Sequence, residues 1–230
     1  MAAQRVLAVV AEDLLHKLQN QNRHHLIFMD TQNALIIFVR NPVLGKVKTR
    51  LAATIGDKNA LTVYRHLLQH TKNIIKNLPV TKFVFYAGEI NNNDIWNGYQ
   101  KQLQYGNDLG ERMANAFKEL FKNGFKKICI IGSDCLELDT EILNAAFTAL
   151  SNTDIIIGPA TDGGYYLLGM QKDCTVVFTK NNWGESSVYD TTIAIIKENN
   201  LQYLPLKMLN DVDTAEDLPE DFTIEKIRNI

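Results

Sequence analysis

Apolar positions along this chain fall into blocks whose period changes from block to block. Residues 34–39 (Ala-Leu-Ile-Ile-Phe-Val) form an unbroken apolar run with polar flanks, the pattern of a parallel strand covered on both faces. Over residues 58–78, Leu61, Tyr64, Leu67, Leu68, Ile74 and Ile75 recur at helical spacing. A second strand is predicted at 82–87, closed by Gly88, and the Asn-rich stretch 89–107 reads as irregular surface with a short strand near Leu103. Residues 109–122 then form a helix whose apolar face is Met113, Phe117, Leu120 and Phe121, with Gly124 placed to end it. A third strong strand at 127–131 leads to a helix capped by Asp139 and running to Leu150. Strands at 154–158 and 165–169, a helix at 188–198 and a strand at 201–206 complete the order.

Strand and helix alternating without a break argue for one α/β domain on a parallel-dominated sheet. What precedes residue 29 has a different character. Val6, Val9, Val10, Leu14 and Leu18 gather near one helical face, and 19–25 are almost all polar. The chain therefore reads as an appendage, 1–28, either an added helix or a start assigned too far upstream, followed by a domain at 29–230 that could begin at Met29.

Composition narrows the function classes. Lys plus Arg number 24 against 26 for Asp plus Glu, so the chain lacks a basic nucleic-acid footprint. The cysteines Cys129, Cys135 and Cys174 show neither metal spacing nor an even count, which disfavours a disulfide framework and points to a reducing cytoplasm. No apolar run approaches the roughly 18 residues of a membrane span, and no signal peptide is legible. A cytoplasmic protein is expected, and a homo-oligomer is compatible with the sequence.

In open α/β sheets, ligands bind beyond the carboxyl ends of the strands, and four segments stand there. Arg40-Asn-Pro-Val-Leu-Gly-Lys-Val-Lys-Thr-Arg50 places Arg40, Lys46, Lys48 and Arg50 around a flexible Gly45, a composition suited to phosphate oxygens; it also reads as a solvated basic turn. In Gly132-Ser-Asp-Cys135, Asp134 either holds a divalent metal that bridges phosphates or caps the next turn. Gly158-Pro-Ala-Thr-Asp-Gly-Gly-Tyr-Tyr-Leu167 is a hairpin signal, yet Asp162 would share the sheet edge with Asp134, and Gly163 and Gly164 would let a ligand lie against bare backbone. In Leu209-Asn-Asp-Val-Asp-Thr-Ala-Glu-Asp217, at most one of Asp211 and Asp213 is expected to meet a metal, and Thr214 with Asp217 reads as a helix cap. Cys135 is expected to be a small buried thiol, and Trp183 sits in a loop over the cleft, available to stack on a ring or to pack in the core.

Together, Phe38-Val-Arg-Asn-Pro-Val-Leu-Gly-Lys-Val-Lys-Thr-Arg-Leu51, Asp108-Leu-Gly-Glu-Arg-Met113, Ile131-Gly-Ser-Asp-Cys135, Gly158-Pro-Ala-Thr-Asp-Gly-Gly-Tyr-Tyr-Leu167 and Asp211-Val-Asp-Thr214 resemble the small bacterial glycosyltransferase-like proteins of the radical-SAM/selenodomain-associated type. The resemblance implies the nucleotide-diphospho-sugar transferase superfamily and a single-domain, GT-A-like (Rossmann-like) three-layer fold with a mostly parallel central sheet. It implies that the basic loop holds a nucleotide's phosphates, that Asp134 and Asp213 bind Mg²⁺ or Mn²⁺, and that Glu111 and Arg112 belong to the cleft. The chain departs from the family at Leu136-Glu137, where Pro-Gly is usual, and at Arg40, where Lys is usual.

The expected protein is thus a metal-dependent transferase with a nucleotide or nucleotide-sugar donor and a small-molecule acceptor. Lys48 and Arg50 would stabilise the leaving phosphate, and Asp162 would orient or deprotonate the acceptor. Glycosyl transfer leads. Nucleotidyl transfer with release of pyrophosphate, a catalytically silent nucleotide-binding protein, and docking through 1–28 are the alternatives.

Overall fold

Leu35, Ile37 and Val39 pack into one hydrophobic core and Ala34 and Ile36 into another, so the strand that carries them separates two layers. The computed structural model describes residues 30–179, 183–220 and 222–227; the expected appendage lies outside the described residues. Seven strands form one sheet: β1 (Asp30–Arg40), β2 (Val80–Ala87), β3 (Gln100–Leu103), β4 (Lys127–Ile131), β5 (Ile155–Pro159), β6 (Tyr165–Met170) and β7 (Tyr203–Pro205). Their spatial order is β3-β2-β1-β4-β6-β5-β7. β1 pairs with β4, β2 with β3 and β5 with β7 in parallel, whereas β6 runs antiparallel to both β4 and β5. The described residues therefore form a three-layer α/β domain on a mostly parallel mixed sheet.

The helices sort by their apolar faces. On one side of the sheet lie α1 (Thr49–Ile55), α2 (Asp57–Ile75) and α4 (Thr140–Ala149), which contribute Leu51, Leu67 and Leu143 to the first core. On the other lie α3 (Leu109–Lys122) and α5 (Val188–Glu198), with Phe117 and Ile196 in the second. Asp108 and Asp139 cap α3 and α4, each side chain accepting a backbone N–H at the third position along, 2.8 and 2.7 Å away. A short α6 (Ile224–Ile227) closes the described chain. Among the described residues, no helix is long and apolar enough to cross a membrane.

Two sequence expectations need correction. The expected basic loop at 40–50 ends sooner and the expected helix from residue 58 is preceded by another: residues 49–55 form the helix α1, and Gly56 at φ 81° breaks the chain between it and α2. The 89–107 stretch is more than irregular surface: Trp96 is 1% exposed, and Asp94 gathers Tyr86 Oη (2.7 Å), Trp96 N (2.9 Å) and Lys101 Nζ (2.8 Å) around itself.

Candidate active site

The chain leaves β1 at Arg40, whose backbone N–H donates to Tyr64 Oη and whose carbonyl accepts from it, at 2.9 and 3.0 Å. Burial, reinforced by Asp134, pushes the Tyr64 phenol up to about 12, so it keeps its proton and fixes the loop from both sides. Beyond it, Gly45 takes φ 72° while Lys46 N donates to Val43 O (3.0 Å), and buried Val47 pins the turn to the core. Lys48 then adopts left-handed φ 48°, ψ 49° as the residue before α1. A non-glycine residue there is strained, and the strain coincides with a side chain turned inward. Lys48 Nζ, on a side chain only 5% exposed, lies 3.1 Å from Asp134 Oδ1 and 3.2 Å from Asp213 Oδ1. Arg50 Nη1 meets Asp213 Oδ2 at 3.0 Å from the solvent side.

The acidic half is assembled from three strand ends. Asp134 follows β4, and its carbonyl accepts from Val212 N at 2.9 Å, tying the segment after β7 to the segment after β4. Asp213 is set by Asp217, whose Oδ2 accepts from Asp213 N (3.0 Å), Thr214 N (2.7 Å) and Thr214 Oγ1 (2.9 Å), the cap expected from sequence. Asp162 sits in the β5–β6 hairpin, where its Oδ1 accepts from Gly164 N at 2.8 Å. Asp211, largely buried, is raised from 3.8 to about 7 by burial and then by the charges of Asp134 and Asp162.

Two cavities meet here. One, of about 490 Å³, is lined by Arg40, Lys48, Arg50, Arg112, Asp134 and Asp213. The other, of about 310 Å³, is lined by Asp134, Asp162, Gly164, Asp211 and Trp183. Arg50 and Asp134 belong to both, so a basic chamber and an acidic chamber share one wall. Trp183 closes the acidic chamber by packing over Gly110, where a Cβ would lie 2.5 Å from the indole, and beside Tyr165 and Phe178.

Of the residues singled out in the sequence, Arg40, Lys48, Arg50, Arg112, Asp134, Asp162, Gly164 and Asp213 therefore line this paired cleft. Four others lie outside the cavity walls. Lys46 is exposed on the turn, and Gly45 serves the turn's positive φ. Glu111 bends back to accept from Asn107 N (2.8 Å) and Nδ2 (2.9 Å). Gly163 at φ 87° lets the hairpin approach the carbonyl of Ser186, which a side chain would block. Asp211 was set aside in the sequence in favour of Asp213, yet it faces Asp134 and Asp162. The two residues flank buried Val212 and line neighbouring chambers, Asp211 the acidic one and Asp213 the basic one. Cys135 is buried and its thiol pushed up to about 12 by burial, which makes it inert.

The donor set can be tested against a divalent ion. Among the described residues, no three His, Cys, Asp or Glu side chains already stand at metal-ligand spacing. Even so, Asp134 Oδ1 and Asp213 Oδ1 converge on a single cation, the Lys48 ammonium. Hard carboxylate oxygens gathered around one cation are the donor chemistry that Mg²⁺ or Mn²⁺ takes.

A family model described as "Uncharacterized protein conserved in bacteria (DUF2064)" matches residues 71–185. No curated protein matches the chain at a significant level. Among solved structures, a Desulfovibrio desulfuricans G20 protein described as a "putative nucleotide-diphospho-sugar transferase" is 32% identical. That match covers 86% of this chain and 94% of the other, with a TM-score of 0.76. The inositol-1-phosphate CTP transferase from T. maritima is 13% identical over 86% of this chain and 95% of its own, with a TM-score of 0.52. Rv0371c from Mycobacterium tuberculosis H37Rv, in complex with manganese, is 13% identical over 81% and 96%, with a TM-score of 0.50. The last two share the fold.

Proposed function

We propose, for a chain that belongs to the DUF2064 family, that it is a nucleotide-dependent transferase whose donor is a nucleotide-diphospho-sugar. The observation that carries the reading is the convergence of Lys48 with Asp134 and Asp213, cations from one strand end meeting carboxylates from two others. Such a site suits a diphosphate, which needs both cations for its oxygens and carboxylates for the metal that accompanies it. The name of the relative from Desulfovibrio desulfuricans supports the donor class.

In this reading Arg40, Lys48, Arg50 and Arg112 bind the diphosphate, and Asp134 with Asp213 hold Mg²⁺ or Mn²⁺. The bound ion supplies neutralisation of the charge that grows on the leaving diphosphate. Lys48 would exchange its carboxylate partners for phosphate oxygens as the donor enters. Arg50, more exposed, would follow the leaving group. The acceptor occupies the acidic chamber beside Trp183, where its hydroxyl oxygen attacks the anomeric carbon and the bond from sugar to phosphate breaks. Asp162 takes the hydroxyl proton, and a nucleoside diphosphate leaves.

Nucleotidyl transfer is the second reading, favoured by the fold shared with a CTP transferase. There the acceptor attacks the α-phosphorus and pyrophosphate leaves. Thermal-shift titration of nucleotides and nucleotide sugars with and without Mn²⁺ tests the shared part. The expected result is stabilisation that needs the ion and is lost in Asp134→Ala. Undiminished ion-dependent stabilisation in that variant would overturn the assignment. Product analysis then separates the chemistries, nucleoside diphosphate for the first and pyrophosphate for the second.

A further inference from the structure

A third cavity, of about 490 Å³, shares only Arg40 with the basic chamber and nothing with the acidic one. It is bounded by α2, the end of β1 and the segment before β3, and its walls include Arg40, Asn41, Arg65, His66, Asp94 and Trp96. Its size falls within the roughly 300–1,000 Å³ of small-molecule sites.

Three features of its wall call for a ligand of definite chemistry. The first is charge. Asp94 is already matched by Lys101 Nζ at 2.8 Å and accepts from Tyr86 Oη and Trp96 N, whereas neither Arg40 nor Arg65 forms an ion pair among the described residues. The cavity therefore carries uncompensated positive charge. The second is a pair of orphaned atoms: Asn41 Oδ1 and His66 Nδ1 are buried and have no hydrogen-bond partner among the described residues. The Asn41 amide is oriented by Nδ2, which donates to Glu89 O at 2.9 Å, so its Oδ1 is left as an acceptor awaiting a donor. His66 is held toward the neutral form by burial and by His70, and its edge rests on Phe222, so the ring offers a hydrogen-bonding atom rather than a second charge. The third is the apolar floor of Leu68 and Trp96, both almost fully buried.

We propose that this cavity is a second ligand site, distinct from the paired cleft, for a small hydroxylated anion: a phosphate or carboxylate carried on a polyol. Arg65 holds the anionic group, Asn41 Oδ1 accepts from a hydroxyl, and the carbon skeleton lies against Trp96. Arg40 lines both this cavity and the basic chamber, so the two sites share a cation.

The chain has two tryptophans, Trp96 here and Trp183 in the acidic chamber, so Trp183→Phe leaves Trp96 as the sole indole reporter. Full-length Trp183→Phe protein is titrated with glycerol 3-phosphate, glycerate, inorganic phosphate and glycerol while Trp96 emission is followed. The expected result is a saturable change with glycerol 3-phosphate or glycerate, at least ten-fold tighter than with inorganic phosphate or glycerol. Whichever of the two saturates identifies the anionic group. Adding Arg65→Ala should weaken that binding at least ten-fold at an unchanged melting temperature, because Arg65 is exposed on α2 and outside both chambers of the cleft. Absence of a saturable response to all four probes overturns the site, as does a full response in the Arg65→Ala protein. Inorganic phosphate binding as tightly as glycerol 3-phosphate overturns the assignment of a hydroxylated ligand.

Discussion

Asp211→Asn is the substitution that most directly examines the electrostatics of the cleft. The Asp211 carboxyl is raised from 3.8 to about 7 because it is largely buried and faces Asp134 and Asp162. A folded-state value above the unfolded one means that the fold binds this proton more tightly than the open chain does. The group's contribution to stability is therefore complete below about pH 4 and is lost as pH rises through about 7. At about 1.4 kcal/mol per pH unit, the whole loss is about 4 kcal/mol, of which about 2–3 kcal/mol falls between pH 5 and pH 8. Asparagine keeps the size and cannot ionise, so the variant should lack that part of the decline and be the more stable protein at pH 8. Urea denaturation of both proteins at pH 5 and pH 8, with EDTA present and m-values compared, measures the difference. If parent and variant lose equal stability between the two pH values, the three carboxylates do not share a field and the described acidic chamber is wrong.

Other substitutions examine other contacts. Gly110→Ala puts a methyl 2.5 Å from the Trp183 indole, so it should cost about 1–3 kcal/mol and shift Trp183 emission to the red as the ring is displaced into water. Lys48→Met leaves Asp134 and Asp213 facing each other; since both are about two-fifths exposed, the expected loss in EDTA is about 1–3 kcal/mol, below that of a fully buried pair, and Mn²⁺ should restore part of it in a denaturation titration. Tyr86→Phe removes the 2.7 Å bond to Asp94 from a fully buried ring and should cost about 1–2 kcal/mol by the same assay.

The strong strands and helices were legible because their signals are local. Continuous apolar runs announced β1 and β4, helical spacing announced α2 and α3, and Asp139 marked the start of α4 in the sequence as it does in the structure. The antiparallel course of β6 was foreshadowed only by the Asp162-Gly-Gly hairpin signal, since an apolar run does not record the direction of its neighbour. At the cleft, residues placed just after strands were found in the cavity walls because topology alone brings strand ends together. Lys46 was read into the site by its charge and Glu111 by the family resemblance, but neither says where a side chain turns. Asp211 was passed over because its burial and the field of Asp134 and Asp162 come from segments distant in sequence. The third cavity left no trace in the sequence: Trp96 sits among Asn residues, and only the packing of α2 against that stretch makes it an interior wall.

The Lys48–Asp213 bond spans 165 positions of sequence. A ribosome delivering this chain releases the cationic arm before β2 and the last of these carboxylates only after all seven described strands of the sheet have been made. A chain that stops short of Asp213 hence carries the arm without this acidic counterpart. Under the proposed function, Lys48 and its two carboxylates come together only once the segment after β7 has joined the sheet.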